Sequence, residues 1–124
     1  MIRKDGILLV AHGARDANWS RPFEVVAQRL CALNPSLTVQ LAFLEFMEPD
    51  IDRGAATLAA ATCTHVQLVP MFLGASGHVQ RDLPPRIHIL KQRFPGVEWR
   101  LHAALGETET VIHAMTMAAL ETLR

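Results

Sequence analysis

Three side chains able to ligate a metal stand at the ends of three apolar runs: His12 after Ile7–Ala11, Glu45 after Val39–Leu44 and His78 after Val66–Leu73. If the runs are parallel strands, the three collect at one edge of one sheet, where open α/β folds bind ligands. Two imidazoles and a carboxylate suit a divalent transition metal. Imidazole titrates near neutrality, so the same group could instead accept a proton. Singly, each residue has a plainer reading. His12 could cap a strand end, or carry a phosphoryl group, although Ala11 stands where phosphohistidine enzymes usually place Arg before His-Gly. Glu45 sits beside Leu44, Phe46 and Met47, where an unpaired carboxylate is costly, or it is a surface loop residue. Glu48 and Asp50 read as helix N-terminal acids. His78 follows a loop with Gly74 and Gly77, glycines that imply unusual backbone angles or close ligand approach, or it is a solvated loop residue. His65, His88 and His113 look ordinary. His102 ends a further strand at the same edge, farther from its centre.

The elements that must position these residues alternate along the chain. The strands are Ile7–Ala11, Thr38–Leu44, His65–Leu73 and Val97–His102, the third bent near Pro70. Ser20 is the expected cap of a first helix that buries Phe23, Val26, Ala27 and Leu30 and ends at Asn34-Pro35. A second helix starts at Pro49, with Ile51, Ala55, Leu58 and Ala59 on one small face. Asp82 is the expected cap of a third, with Pro84 and Pro85 in its first turn and Ile87, Leu90 and Phe94 inward. Thr108 caps a fourth, which buries Ile112, Met115, Ala119 and Leu123. The order βαβαβαβα predicts one α/β domain over residues 1–124: a four-stranded parallel sheet with helices on both faces, flavodoxin-like, in strand order 2-1-3-4. That order sets His12 and His78 on the loops flanking the switch point, with Glu45 on the adjacent strand.

Composition excludes several classes. Twelve basic and twelve acidic residues cancel, half of the 124 residues are apolar and aromatics are few. Neither a nucleic-acid partner nor a membrane surface is expected. No apolar stretch is long enough for a membrane span or a signal-peptide core. Cys31 and Cys63 form no C-x-x-C and read as buried free thiols of a cytoplasmic protein. No phosphate-binding glycine loop appears, so no nucleotide is expected, and no Gly-x-Ser-x-Gly elbow appears.

Leu8-Leu9-Val10-Ala11-His12-Gly13-Ala14-Arg15-Asp16 resembles the opening of the short sirohydrochlorin cobaltochelatases, the small CbiX proteins. Phe43-Leu44-Glu45 with Pro49 resembles their second block. Val69-Pro70-Met71-Phe72-Leu73 and Gly77-His78-Val79-Gln80-Arg81-Asp82-Leu83-Pro84 resemble their third, the most specific of the three. Ala14 departs from the Ser common there. The resemblance implies a class II chelatase that inserts a divalent metal into sirohydrochlorin without ATP. The metal would be cobalt, with iron or nickel in relatives. It implies a homodimer, because longer relatives hold two such domains. It also implies His12, Glu45 and His78 as the metal site, with His12 and His78 catalytic. Arg15, Arg81 and Gly77 would meet the substrate, the arginines pairing with its carboxylates. Leu44, Met71, Phe72 and Leu73 could offer the macrocycle an apolar face. A non-catalytic metal or tetrapyrrole carrier is the alternative.

Overall fold

The computed structural model describes residues 2–74 and 77–124, apart from the side chain of His78; Ala75 and Ser76 of the expected glycine loop lie outside it. Four strands form one parallel sheet in the order β2-β1-β3-β4. They are β1 (Asp5–Ala11), β2 (Thr38–Phe43), β3 (His65–Pro70) and β4 (Glu98–Leu101). The expected order 2-1-3-4 is therefore the observed one. β1 pairs Leu9 with Leu41 on one side and with Val69 on the other. β3 ends at Pro70, which has no N–H to offer on the β4 side.

Helix α1 (Arg21–Leu33) lies against β2, while α2 (Ile51–Ala60) and α3 (Gly77–Arg93) cover the other face. On that face Leu8, Val10, Ala42, Val66, Leu68 and Trp99 form one core with Ile51, Ala55 and Leu58 of α2 and with Ile87 and Leu90 of α3. Strand alternation turns Leu9, Ala11 and Phe43 to the α1 side, where they too are buried. Asp50 caps α2 by accepting from Arg53 N–H at 2.9 Å. Among the described residues no helix is long and apolar enough to cross a membrane.

Several expectations need correction. Ser20 does not cap α1. It ends a short 3-10 turn (Ala17–Ser20), and its hydroxyl donates to the Glu24 carboxylate at 2.8 Å instead. Helix α3 starts at Gly77 rather than after Asp82, and Pro84 and Pro85 lie inside it. Val79 and Leu83 extend the stripe of Ile87 and Leu90 backwards, and all four are buried. Burying two such side chains, at roughly 1.5–3 kcal/mol each, is comparable to the penalty of two interior prolines, about 3 kcal/mol each. Cys31 is exposed, one residue and so about 100° round α1 from the half-buried Leu30, whereas Cys63 is buried. Val26 of α1 is also exposed. The fourth helix, α4 (Glu109–Glu121), is capped by Thr108 as expected, yet none of its residues is buried.

Gly54 lets α2 approach the sheet, since a Cβ there would lie 2.9 Å from Leu8 Cδ1 and 3.1 Å from Ala42 Cβ. Gly54→Val should therefore lower stability by about 1–3 kcal/mol in urea unfolding. A neutral result would mean that α2 is not seated as described.

Candidate functional site

The backbone ladder continues beyond the end of β1. Leu44 N–H donates to the Ala11 carbonyl and Glu45 N–H to the His12 carbonyl, each at 3.0 Å. On the other side Met71 N–H donates to the Val10 carbonyl at 2.8 Å. Main-chain bonding alone thus makes His12 and Glu45 neighbours. Gly13 follows with φ +93°, and a Cβ there would lie 1.8 Å from the Glu45 carbonyl oxygen. Both the angle and the contact require glycine.

After Glu45 the chain turns sharply. Phe46 adopts φ 66°, a left-handed conformation that costs an aromatic residue about 1–3 kcal/mol. Its ring is 57% exposed, and the Arg15 guanidinium carbon lies 4.9 Å from the ring centroid. Strain of this kind collects at ligand sites. The exposed His12 imidazole rests on the buried Phe72 ring, with centroids 4.2 Å apart and planes tilted by 30°. Stacking on a fixed ring limits where that imidazole can go.

His12 and Glu45 line one cavity of about 380 Å³, together with Leu44 and with Val79, Asp82, Leu83 and Arg86 of α3. Glu45 is exposed, so its carboxylate does not carry the burial cost expected from its apolar neighbours. Among the described residues no three His, Cys, Asp or Glu side chains converge as a metal-binding group. The side chain of His78, the third candidate, lies outside those residues. Its backbone belongs to the first turn of α3, next to Val79.

The remaining candidates divide. Arg15 reaches Phe46 beside Glu45. Arg81 lies on α3 rather than on a loop, does not line the cavity, and donates from Nε to the Gly77 carbonyl at 3.2 Å. Among the described residues a Cβ on Gly74 or Gly77 would meet nothing within 4 Å, so no contact there demands glycine. His102 bonds Gln67 Oε1 through Nε2 at 2.6 Å. Of the apolar residues at this edge, Leu44 lines the cavity, Phe72 supports His12, and Leu73 is 69% exposed. Sequence reasoning passed over Phe46, Asp82 and Arg86. Asp82 and Arg86 are four apart, and recognising that α3 starts at Gly77 would have set them on one helix face.

Gly13→Ala should lower stability by more than about 2 kcal/mol, while Gly74→Ala should stay within roughly 0.5 kcal/mol. Thermal unfolding of the pair checks this, and equal effects would contradict the described contact between Gly13 and Glu45.

Comparison with known proteins agrees with this architecture. The CbiX family model matches residues 6–122. The sirohydrochlorin ferrochelatase of Bacillus subtilis is 30% identical over 113 residues, covering 90% of this chain and 43% of its own length. The sirohydrochlorin cobaltochelatase of Sulfurisphaera tokodaii is 28% identical and matches 96% of this chain and 94% of its own. This chain thus spans less than half of the Bacillus relative. The crystal structure of a cobalamin biosynthesis CbiX protein from Marinobacter aquaeolei superposes with TM-score 0.82 at 28% identity, covering 96% of this chain and 97% of that one. The sirohydrochlorin chelatase SirB of Bacillus subtilis subspecies spizizenii, solved with cobalt, gives TM-score 0.75 at 26% identity over 95% of this chain and 50% of its own. The strand order, the ligand edge and a family match over nearly the whole length make this chain a member of the CbiX family.

Proposed function

We propose that this protein inserts a divalent metal, cobalt first among candidates, into sirohydrochlorin without consuming a nucleotide. The observation that carries the proposal is the cavity at the carboxyl edge of β1 and β2, lined by His12 and Glu45 in a CbiX-family chain. Relatives named for cobalt and for iron leave iron as the next candidate.

Insertion requires that two pyrrole N–H protons leave and that the incoming ion lose its ligands. In this reading His12 binds the ion or takes a proton, held in place by Phe72. Glu45, whose backbone N–H bonds the His12 carbonyl, adds a carboxylate that offsets the charge of the ion. His78 completes the set on the strength of the family resemblance, and its neighbour Val79 lines the same cavity. Three protein ligands leave coordination positions open for the macrocycle, unlike the closed four of structural sites. Arg86 on the cavity wall and Arg15, over the ring of Phe46 next to Glu45, meet substrate carboxylates in this reading. Arg81 and Gly77, on the first turns of α3, are kept as substrate contacts on the strength of the family resemblance. Phe46 offers an exposed ring to the macrocycle plane. The active unit is a homodimer of one-domain chains (residues 1–124) acting in the cytoplasm, a reading supported by the two-to-one length relation to the Bacillus chelatase.

His12→Ala should reduce the rate of cobalt insertion, followed by the change in tetrapyrrole absorbance, by about 10²-fold or more. Full activity in that variant would sink the assignment. Metal bound stoichiometrically by the wild type, with no gain over spontaneous insertion, would favour a carrier. Phe46→Ala should raise KM for the macrocycle several-fold with kcat nearly unchanged; steady-state kinetics showing the reverse split would remove Phe46 from substrate binding.

A further inference from the structure

Phe72 carries the His12 imidazole, yet packing alone does not fix its ring. The ring centroid stands 4.2 Å from that of His12. Phe72 also lines a second cavity, of about 280 Å³, with Pro70, Leu83, Leu101 and Ala104. Leu83 borders both this cavity and the one that His12 lines, so the two adjoin. A void gives a side chain no contacts on that side. Something else must hold Phe72 where His12 can rest on it.

The main chain does so. Met71 N–H donates to the Val10 carbonyl at 2.8 Å, and the Phe72 carbonyl then accepts from Gly106 N–H, also at 2.8 Å. Among the described residues Leu73 and Gly74 make no further main-chain hydrogen bond. Gly106 therefore grips the chain at the residue that supports His12. The approach is too close for any side chain: a Cβ on Gly106 would lie 2.0 Å from the Leu73 carbonyl oxygen and 2.2 Å from the Leu73 Cα. Gly106 is itself held. It lies in the 3-10 turn Leu105–Glu107, where Glu107 N–H donates to the Ala104 carbonyl and Thr108 N–H to that of Leu105, each at 3.0 Å. Ala104 is buried in the core, and Thr108 caps α4. The turn is tied to the core on one side and to a helix on the other.

We propose that Gly106 is a positioning residue for His12. Its N–H and its missing Cβ set the Phe72 backbone, and the Phe72 ring sets the imidazole. Gly106 does not line the cavity of His12 and acts through Phe72 rather than on metal or macrocycle. The chemistry is sensitive to such placement, since a displacement of about 1 Å can cost about 10²-fold in rate. The inference rests on the proposed insertion reaction and adds to it a residue outside the cavity.

Gly106→Ala, Phe72→Leu and the double variant test it, with Gly96→Ala as a control at a turn where a Cβ would meet nothing within 4 Å. Each is followed by cobalt insertion kinetics and by the proton resonances of the His12 ring, identified by their absence in His12→Ala. The ring current of Phe72 shifts those resonances, so they report its placement without turnover. Gly106→Ala should lower kcat by on the order of 10- to 10²-fold with KM for the macrocycle nearly unchanged. It should move the His12 resonances in the same direction as Phe72→Leu, while Gly96→Ala leaves them in place. In the Phe72→Leu background the added loss from Gly106→Ala should vanish. A merely structural role would give the same factor of loss in both backgrounds with the His12 resonances unmoved, and would overturn the proposal. Glycolic acid in place of Gly106 turns its amide into an ester, which removes the N–H without adding a Cβ and carries the test if Gly106→Ala does not fold. Unmoved His12 resonances in the ester would also overturn the proposal. The resonances decide the positioning even in a protein that inserts no metal, an outcome that would overturn the proposed function alone.

Discussion

The site depends on one interaction, the parallel backbone ladder that runs past the end of β1. Bonds from Leu44 to Ala11 and from Glu45 to His12 carry the pairing of β1 with β2 beyond the sheet. They set two chemically capable residues side by side before any side chain is considered. Gly13 makes the arrangement possible, because only a residue without Cβ can cross the Glu45 carbonyl so closely. The loop bearing His12 is thereby held against the chain bearing Glu45, and the strained backbone of Phe46 follows from the turn this forces. Such strain persists only where surrounding structure holds it. Here the surroundings are the β2 end, closed by Phe43 N–H donating to the Pro49 carbonyl at 2.9 Å, and the cap of α2.

The other half of the cavity comes from a different source. Helix α3 brings Val79, Asp82, Leu83 and Arg86 to the edge because Val79, Leu83, Ile87 and Leu90 bury one stripe against the sheet. The same packing that seats this stripe therefore sets Asp82 and Arg86, on its flank, into the cavity. A site with His12 and Glu45 both exposed differs from a structural metal centre, in which ligands are closed around the ion. In the proposed chemistry that openness is useful: the metal is cargo, and a macrocycle must reach it.

The fold was legible because each βαβ unit carries its own punctuation. The apolar run Ile7–Ala11, the Asn34-Pro35 stop, Thr108 as a cap and the proline at the end of β3 each act locally, and local signals survive in sequence. The position of His12 and Glu45 at one sheet edge was legible for the same reason, as each follows a strand directly. What failed depended on tertiary packing. Pro84 and Pro85 signalled a helix start, but the stripe through Val79 and Leu83 carried the helix back to Gly77. Phe46 was unreadable because its left-handed backbone follows from the contact between Gly13 and Glu45, residues distant in sequence. The apolar spacing of α4 announced a helix that must be covered. Spacing cannot say whether the cover is its own sheet or another chain, and the expected burial of Ile112, Met115, Ala119 and Leu123 was wrong for this chain alone.

The central claim is that an open two-strand edge in a CbiX-family chain passes a metal on rather than keeping it. A multiple-turnover experiment tests this most directly. Protein is supplied far below the concentrations of cobalt and sirohydrochlorin, and metallated product is counted per protein chain. The account predicts many equivalents, formed faster than in protein-free buffer. One equivalent or less, or a rate equal to the buffer control, would contradict it.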